Sequence, residues 1–386
     1  MIEDLFIKRF GQSPKVIAQA PGRLEFIGNH TDYNGGPVLG VAVDRRVSVA
    51  LSPCDGRQAT LWSASMDSEV TVDIDHIEPL SGKDSWANYA LGVLKELIAI
   101  GMETPHGFTM VVDSDLPAGA GLSSSAAFEL ASGYGFTGLY DFELDRADMA
   151  RVGRRAENSF VGMPCGILDQ GVSAFGDINR LVKIDCASET FTQLKLPEDV
   201  HFWVFNTAKK HSLVDSLYGK RHEECMEAHR LLKHPLPHAQ NLAQVSSAQL
   251  EQHQGLLGDV LTRRARHIVG ESERVLAVES ALQKGDMAAV GKMLFESHGS
   301  SRVNFENSIP ELDLLVETLK QSEHVWGARL TGGGFGGAVM AVTNGQFDQH
   351  DAEKIIEAYE KAFGQASTYF HTTTGPGASE GHLVSI

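Results

Sequence analysis

The stretch that decides the fold reads Ala20-Pro-Gly-Arg-Leu-Glu-Phe-Ile-Gly-Asn-His-Thr-Asp-Tyr-Asn-Gly-Gly-Pro-Val-Leu-Gly40. Its hydrogen-bonding side chains lie close together along the chain and are Arg23, Asn29, His30, Asp32, Tyr33 and Asn34. They are framed by Gly22, Gly28, Gly35 and Gly36. A polar cluster must be aimed by backbone that glycine and proline can bend, so the stretch is typical of a loop that carries function.

Length and composition describe an ordinary globular protein. With 386 residues, 42% of them hydrophobic and 22% charged, the chain can bury sizeable cores. At about 150 residues per domain, this length predicts two or three domains. The formal net charge of -17 argues against nucleic acid or an anionic membrane as a partner, since both require basic patches. It leaves room for a local positive pocket that binds phosphate.

The sequence shows no sign of export. The first residues, Met1 to Phe6, include acids and no apolar core segment, so we expect no signal peptide. No run reaches the roughly 20 apolar residues that a membrane span needs. The four cysteines form no CxxC pair and are too sparse for a disulfide framework. We therefore expect a soluble cytoplasmic protein with no membrane partner.

A second glycine-rich stretch lies between a predicted strand and a predicted helix and reads Asp115-Leu-Pro-Ala-Gly-Ala-Gly-Leu-Ser-Ser-Ser-Ala-Ala127. Gly119 and Gly121 let successive N–H groups point into one concavity, and the helix adds its free N–H groups and positive dipole end. The pattern favours an anion site suited to phosphate. It is not a Walker loop, because no Gly-Lys-Ser/Thr follows. The alternative is a helix start of small residues packed closely on a sheet.

A third glycine segment must be weighed as a dinucleotide-binding motif. It satisfies the GxGxxG pattern through Gly332, Gly334 and Gly337. That motif requires a helix directly after the glycines. Here Ala338 to Val342 is typical of a short strand that ends at a turn, and another strand precedes the glycines. The strand–turn–strand context excludes the dinucleotide interpretation.

Two further stretches carry candidate chemistry. A helix predicted over residues 145–160 contains Glu157, and Asp169 follows an apolar pair just after a turn of proline and glycine. On a helix predicted from 214 to 232, His222, Cys225 and His229 share one face. A metal site needs more ligands and a second shell of hydrogen bonds, so we interpret this trio as an ordinary helix face.

Predicted regular elements alternate along the whole chain. Strands are expected at 15–19, 38–52, 107–112, 181–186 and 200–207. Helices are expected at 3–11, 84–100 and 260–283, and two more within 286–320. We place a domain boundary near 181–186, which divides the chain into residues 1–180 and 181–386. No low-complexity linker separates the two parts, so we expect them to pack against each other.

Taken together, these motifs resemble the GHMP kinase superfamily and, within it, most closely the galactokinases. The likeness runs over nearly the whole chain and includes Met163 to Gln170, Tyr218, Glu296 to Arg302, Pro310 to Asp313 and Gly375 to Ala378. Several distant motifs in order are far more specific than any single pattern. The resemblance implies a two-domain α+β fold, with an N-terminal domain like the second domain of ribosomal protein S5 and a ferredoxin-like C-terminal domain. It places the active site in the interdomain cleft.

The resemblance also implies a reaction, the transfer of the γ-phosphoryl group of ATP to the anomeric 1-hydroxyl of a sugar, with Mg²⁺ as cofactor. The implied ATP-binding residues are Gly119, Ala120, Gly121, Leu122, Ser123, Ser124 and Ser125. The implied metal ligands are Ser125 and Glu157. The implied catalytic residues are Asp169 and Arg23, and whether Asp169 abstracts the proton or only orients the hydroxyl is left open. The implied sugar-binding residues are Asn29, His30, Thr31, Asp32, Gly166 and Tyr218.

The chain departs from the galactokinase pattern in two places. Galactokinases usually carry glutamate, which holds the sugar's 6-hydroxyl, where this chain has Asn29, and Val-Asn-Leu where it has Leu24-Glu25-Phe26. A charged acceptor makes a hydrogen bond of about 1.5–3 kcal/mol, against about 0.5–1.5 kcal/mol for a neutral one. The exchange at Asn29 is therefore expected to weaken galactose binding by roughly tenfold. Galactose is the expected substrate, and galacturonate, whose carboxylate would no longer be repelled, or another galactose-like sugar is the alternative.

A hypothesis of another class is a non-catalytic sensor that binds galactose and ATP. A known sensor of this kind resembles the galactokinases but has lost residues of the phosphate loop. Here Ser123 to Ala126 is intact, as are Arg23, Glu157 and Asp169. A complete site favours an enzyme. The resemblance further implies a monomer.

Overall fold

The computed structural model describes residues 1–117, 121–209 and 214–383, with side chains described in these ranges except at 214–216 and 380–383. Strands in chain order are β1 Val16–Ile27, β2 Pro37–Cys54, β3 Gln58–Ser63, β4 Ser68–Asp73, β5 Gly107–Ser114, β6 Arg180–Asp185, β7 Thr190–Lys195, β8 His201–Asn206, β9 Val325–Thr331, β10 Ala338–Thr343, β11 Thr368–Thr372 and β12 Ser379–Leu383. Helices are α1 Ile2–Phe10, α2 Asn88–Ala99, α3 Ser124–Tyr140, α4 Arg146–Arg155, α5 Leu168–Phe175, α6 Val214–Leu232, α7 Ser247–His253, α8 Gly258–Gln283, α9 Met287–Ser300, α10 Pro310–Leu319 and α11 Gln349–Phe363.

The first sheet is built around the long strand β2. Its order is β12-β1-β2-β5-β3-β4, with β6 paired to β2 and β7 to β6. Neighbouring strands are antiparallel except for β3 and β5, which are parallel. Helix α3 packs across β1 and β2, and α2 packs on α3. The last eight residues of β1, from Ala20 to Ile27, are all buried, so this strand delivers the opening stretch into the interior.

The second sheet has the order β11-β8-β10-β9 and is antiparallel throughout. Alternate residues of β10 enter different cores: Val339 and Ala341 pack with α10 and α11, whereas Met340 and Val342 join the core of the first sheet. Burial on both faces explains why residues 338–342 are apolar without alternation. The two sheets therefore share one continuous interior.

The α+β prediction with two domains is confirmed. The GxGxxG segment joins the antiparallel strands β9 and β10, so the strand–turn–strand interpretation is confirmed as well. The boundary near residue 180 stays a prediction, and the pairing shows that the first sheet extends past it through β6 and β7. One helix prediction was partly wrong: α4 ends at Arg155, and a π-helical turn from Ala156 to Val161 replaces its continuation.

The remaining expectations concern membranes and metals. Among the helices of the described ranges, none is long and apolar enough to cross a membrane. Across the same ranges, no three or more His, Cys, Asp or Glu side chains are grouped to hold a metal ion. In the predicted helix-face trio, Cys225 is buried and His229 hydrogen-bonds through Nε2 to the carbonyl of Ala239 at 3.0 Å.

Candidate active site

A cavity of about 450 Å³ opens between the two sheets. Its walls come from β1 and the loop after it, the turn before α5, the start of α5, one turn of α6 and the turn between β9 and β10. The lining residues are Arg23, Glu25, Gly28, Asn29, His30, Asp32, Gly162, Met163, Pro164, Cys165, Gly166, Leu168, Asp169, Tyr218, Gly219, Gly332 and Gly333. The cavity thus brings together residues of the first and third glycine-rich stretches, whereas the second, the phosphate loop at 115–127, reaches the cavity wall through the contact of Ser123 with Asp169.

Arg23 and Asp169 form an ion pair on the cavity wall. Both Nε and Nη2 of Arg23 lie 2.7 Å from Asp169 Oδ1, and the Ser123 hydroxyl donates to Oδ2 at 2.5 Å. The carboxylate is therefore held at both oxygens and cannot rotate freely. Arg23 contacts Asp169, as expected for the two implied catalytic residues, although they lie 146 positions apart in the sequence.

Strand β1 and the phosphate loop touch through their backbones. The N–H of Arg23 donates to the carbonyl of Leu122 at 2.9 Å, and Nη1 of Arg23 donates to the carbonyl of Gly121 at 2.8 Å. A Cβ atom on Gly22 would lie only 2.8 Å from the Leu122 carbonyl oxygen, so this approach requires glycine. Arg23 consequently links the loop to the acid at Asp169.

The phosphate loop ends at the N-terminus of α3. Ser123 adopts a left-handed conformation with φ 49°, which is uncommon for a residue with a side chain and is typical of functional turns. Helix α3 begins directly afterwards, so the N–H groups of Ser124 and Ser125 belong to its first turn, where no intrahelical partner exists. Two predicted ATP-binding residues, Gly119 and Ala120, lie outside the described residues.

Behind Asp169 lies a group that we call the acid cluster, made of Glu129, Glu157 and Gln170. The Gln170 amide donates to Glu129 Oε2 at 2.9 Å and to Glu157 Oε2 at 2.7 Å. Burial raises the pKa of both glutamates, the charge of Asp169 raises both further, and the charge of Glu157 also raises that of Glu129. Glu129 Oε1 and Gln170 Oε1 are buried and have no partner among the described residues.

Glu157 lies at the start of the π-helical turn that follows α4. Ser125 hydrogen-bonds to the Glu157 carboxylate, so the two predicted metal ligands are adjacent. Their oxygens suit a hard cation.

His30 is fixed on both sides of its ring. Nε2 lies 3.0 Å from the carbonyl of Gly333 and therefore donates, which leaves Nδ1 to accept from the Tyr33 hydroxyl at 2.9 Å. Burial lowers the pKa of His30 to about 3, so the ring is neutral at ordinary pH. Its backbone is left-handed, with φ 61°. His30 thus ties the opening loop to the turn after β9 and contributes its ring face to the cavity.

Asp32 and Gly166 meet at the cavity wall. A Cβ atom on Gly166 would lie 1.9 Å from Asp32 Oδ2, so only glycine permits this contact. Burial, with the nearby charges of Glu25 and Asp169, raises the pKa of Asp32 to about 7. Tyr218 completes this side, with its ring 5.0 Å from that of His30.

Thr31 is the one predicted sugar-binding residue that the structure does not bring to the cavity wall. Its hydroxyl is fully buried and lies 2.8 Å from the carbonyl of Gly28 and 2.9 Å from that of Pro37, within hydrogen-bond distance of both. Thr31 therefore closes the loop that carries its neighbours, and its side chain offers nothing to a ligand.

Sequence reasoning missed the residues beneath the opening loop, which we call the support network: Glu271, His267, Ser297, Arg274 and Arg329. Glu271 Oε1 accepts from the backbone N–H groups of Gly28 and Asn29, each at 3.1 Å, and from the Ser297 hydroxyl at 2.6 Å. Burial raises the pKa of Glu271, but Arg274 and other positive groups outweigh burial and lower it to about 2. These residues lie on α8, α9 and β9, and only their position in the folded interior would have signalled them, which is not visible in sequence.

Three family signatures match the chain. Residues 4–53 match the galactokinase galactose-binding signature, residues 88–177 the N-terminal domain of GHMP kinases, and residues 278–365 the C-terminal domain of GHMP kinases. The chain therefore has the N-terminal and C-terminal domains of a GHMP kinase.

Relatives narrow this class further. A galactokinase from Roseiflexus sp. is 38% identical over 96% of this chain and 94% of its own length. One from Chloroflexus aggregans is 38% identical over 97% and 95%. The crystal structure of Lactococcus lactis galactokinase complexed with galactose superposes with a TM-score of 0.93, at 30% identity over 98% of both chains. The chain belongs to the galactokinase family.

Proposed function

We propose that this protein transfers the γ-phosphoryl group of ATP to the 1-hydroxyl of galactose. One observation carries the proposal: the Arg23–Asp169 ion pair, which lies on the sugar cavity while Ser123, next to the N-terminus of α3, holds its second oxygen. A hydroxyl in the cavity and a phosphate at the helix N-terminus would meet at this pair. Family membership supports the same reaction.

In this proposal Asp169 accepts the proton of the attacking hydroxyl or orients it, and Arg23 neutralises charge that develops on the transferred group. Phosphoryl transfer depends on positioning and charge neutralisation more than on covalent chemistry. The geometry suits this need, because Arg23 reaches both Asp169 and the phosphate-loop carbonyl of Gly121. The loop itself would hold the phosphates through Gly121 to Ser125, with Gly119 and Ala120 as further predicted contacts.

The residues present fit Mg²⁺. Ser125 and Glu157 supply adjacent oxygen donors, and Glu129 Oε1 and Gln170 Oε1 are buried without partners close behind them. Mg²⁺ usually takes one or two protein oxygens and completes its shell with phosphates and water. Held by Ser125 and Glu157, Mg²⁺ would supply positive charge that offsets the negative charge of the phosphates. The acid cluster would then hold Glu157 in place, since Gln170 links it to Glu129.

The test is an ADP-release assay with ATP, Mg²⁺ and a panel of galactose, galacturonate, glucose and no sugar. We expect sugar-dependent turnover with galactose, and a product whose reducing end is blocked by phosphate at position 1. Galactose that binds without turnover would support the sensor alternative instead. Turnover of galacturonate in preference to galactose would overturn the assigned substrate.

A cytoplasmic, monomeric protein is part of the proposal. All four cysteines are free, as suits a reducing compartment. Light scattering on the purified protein tests the oligomeric state, and a mass of 41.8 kDa is expected for the monomer.

A further inference from the structure

The floor of the cavity holds Glu25 and Asn29 side by side. Asn29 is fully buried, and its amide nitrogen donates to Glu25 Oε1 and to the carbonyl of Gly332, each at 2.9 Å. Its amide oxygen accepts from Asn307 Nδ2 at 2.9 Å and from the Ser301 hydroxyl at 3.4 Å. Both donors and both acceptor positions of the Asn29 amide are thereby used within the protein.

The Glu25 carboxylate can accept more hydrogen bonds than the described residues donate to it. Its Oε1 accepts from Asn29 and from Arg329 Nη2 at 2.9 Å, whereas Oε2 accepts no hydrogen bond from any residue in the described ranges. The side chain is 7% exposed and lines the cavity, so that exposure is toward the space where a ligand would lie. Oε2 is therefore free to accept a hydrogen bond from a hydroxyl group in the cavity.

The rest of the floor holds Glu25 rigidly. Arg329 is fully buried, and besides Glu25 Oε1 its guanidinium reaches the Glu25 carbonyl at 3.2 Å and the Ser297 hydroxyl at 3.1 Å. Burial raises the pKa of Glu25, while Arg329 and Arg23 act against that rise. The carboxylate is consequently pinned at one oxygen and open at the other.

Resting on the proposed function, we propose that Glu25, not Asn29, is the residue that accepts a hydrogen bond from a hydroxyl of the sugar. Asn29 is a positioning residue that holds the Glu25 carboxylate. This chain has a carboxylate at 25 and an amide at 29, the reverse of the usual family pattern described above. Relative to that pattern the carboxylate and the amide have exchanged places, and here they are hydrogen-bonded to each other, so a negative acceptor remains on the floor.

This assignment reverses the expectation, drawn from Asn29 alone, that the cavity no longer repels a sugar with a carboxylate. A sugar with a carboxylate at carbon 6 would still face a negative charge, because Glu25 supplies one. Changing Asn29 to glutamate alone would also set two carboxylates against each other at the 2.9 Å contact. Asn29→Glu is therefore expected to lower galactose turnover, whereas an Asn29 that contacts the sugar directly would give improvement.

The experiment measures kcat/KM for galactose and for its 2-, 3-, 4- and 6-deoxy analogues, in wild type and in Glu25→Gln. Wild type should prefer galactose over one of these analogues by about tenfold or more, as expected for a hydrogen bond to a charged acceptor. In Glu25→Gln that one preference should shrink several-fold while the other three stay unchanged. Unchanged preference for all four would overturn the inference.

A swapped pair supplies the rescue. The double variant Glu25→Asn with Asn29→Glu should recover the preference that Glu25→Asn alone loses, since a carboxylate and its amide partner return to the floor. Failure of the swap to recover it, in a protein that melts at the wild-type temperature, would also count against the inference. Glu189→Gln is the matched control, because this acid pairs with Arg151 and Arg154 away from the cavity.

The two proposals fail in different ways. If wild type does not phosphorylate galactose, the proposed function is overturned and this inference with it. If wild type phosphorylates galactose but Glu25→Gln discriminates as wild type does, only this inference is overturned.

Discussion

Buried acids lie in both the support network and the acid cluster, and they differ in what surrounds them. In the support network, Glu271 has Arg274 beside it and accepts hydrogen bonds from two backbone N–H groups and a hydroxyl, and its pKa is lowered to about 2. In the acid cluster, Glu129 and Glu157 share one amide donor group of Gln170, and the pKa of each is raised.

This difference distinguishes the support network, which stabilises the fold, from the acid cluster, which lies next to the proposed chemistry. A buried carboxylate that is fully paired gains stability by being charged, whereas one that is crowded by other acids loses stability until a cation arrives. The support network therefore shapes the sugar floor in advance. The raised pKa values of the acid cluster instead suit the cation that we propose beside it.

The largest effect should come from Asp169, where the acid cluster meets the cavity. Asp169→Asn keeps the shape of the side chain but removes its ability to accept a proton and its charge beside Arg23. We expect kcat to fall by about 10²- to 10⁴-fold, the range for loss of general-base catalysis, while galactose binding by calorimetry changes far less. Asp55→Asn, at an exposed bend, is the control. Near-normal turnover in Asp169→Asn would remove this residue from the mechanism.

The next largest effect should be on stability, at Glu271. Its folded pKa of about 2 lies below the ordinary 4.5, so its contribution is complete above pH 4.5 and is lost as pH falls toward 2. Glu271→Gln should lower the free energy of unfolding at pH 7 by about 3 kcal/mol, at about 1.4 kcal/mol per pKa unit. Urea titrations at several pH values measure this. The loss should shrink below pH 4.5, and exposed Glu273→Gln should show little change.

In the acid cluster, replacing a glutamate by glutamine should raise the free energy of unfolding instead of lowering it. Glu129 is fully buried with a raised pKa, so its ionisation costs stability as pH rises above the ordinary value of 4.5. Glu129→Gln should stabilise the metal-free protein at pH 7 by roughly 1 kcal/mol or more. The new amide could donate to the unpartnered Gln170 Oε1. Destabilisation of the size expected for Glu271→Gln would contradict the distinction between the two groups, and exposed Glu143→Gln controls for surface charge.

The sequence predicted the parts of the site that lie within single motifs. Arg23, His30, Asp32 and Asp169 were found on one cavity, and the β9–β10 turn was distinguished from a dinucleotide motif by the strand after it. These successes have a local physical basis, since glycine placement and hydrophobic periodicity report backbone shape directly. The catalytic and binding roles of these residues stay predictions.

What the sequence could not predict depends on contacts between distant residues. Glu25 is held by a hydrogen bond from Arg329, which lies 304 positions away in the sequence. Asn29 is held by hydrogen bonds to partners that lie 272 to 303 positions away. The π-helical turn at Glu157 breaks a pattern that would otherwise continue as α-helix. The contacts of Glu25 and Asn29 leave no local signal, because their partners come close only in the folded protein.

The smallest effect is expected at Asp32, whose pKa depends on the carboxylates of both Glu25 and Asp169. Burial, then the carboxylates of Glu25 and Asp169, raise its pKa to about 7, so Asp32 is neutral below that pH and charged above it. A charged acceptor binds a sugar hydroxyl more strongly, so the galactose dissociation constant should fall by about three- to tenfold between pH 6 and pH 8.

Calorimetry without ATP measures this dependence, and Asp32→Asn should make it flat. In Glu25→Gln the midpoint should move to lower pH, because one of the charges that raises the pKa of Asp32 is gone. A midpoint that moves in Asp169→Asn but not in Glu25→Gln would show that the charge of Asp169, and not that of Glu25, raises the pKa of Asp32. A wild-type dissociation constant that is independent of pH over this range would show that Asp32 does not bind galactose through its carboxylate.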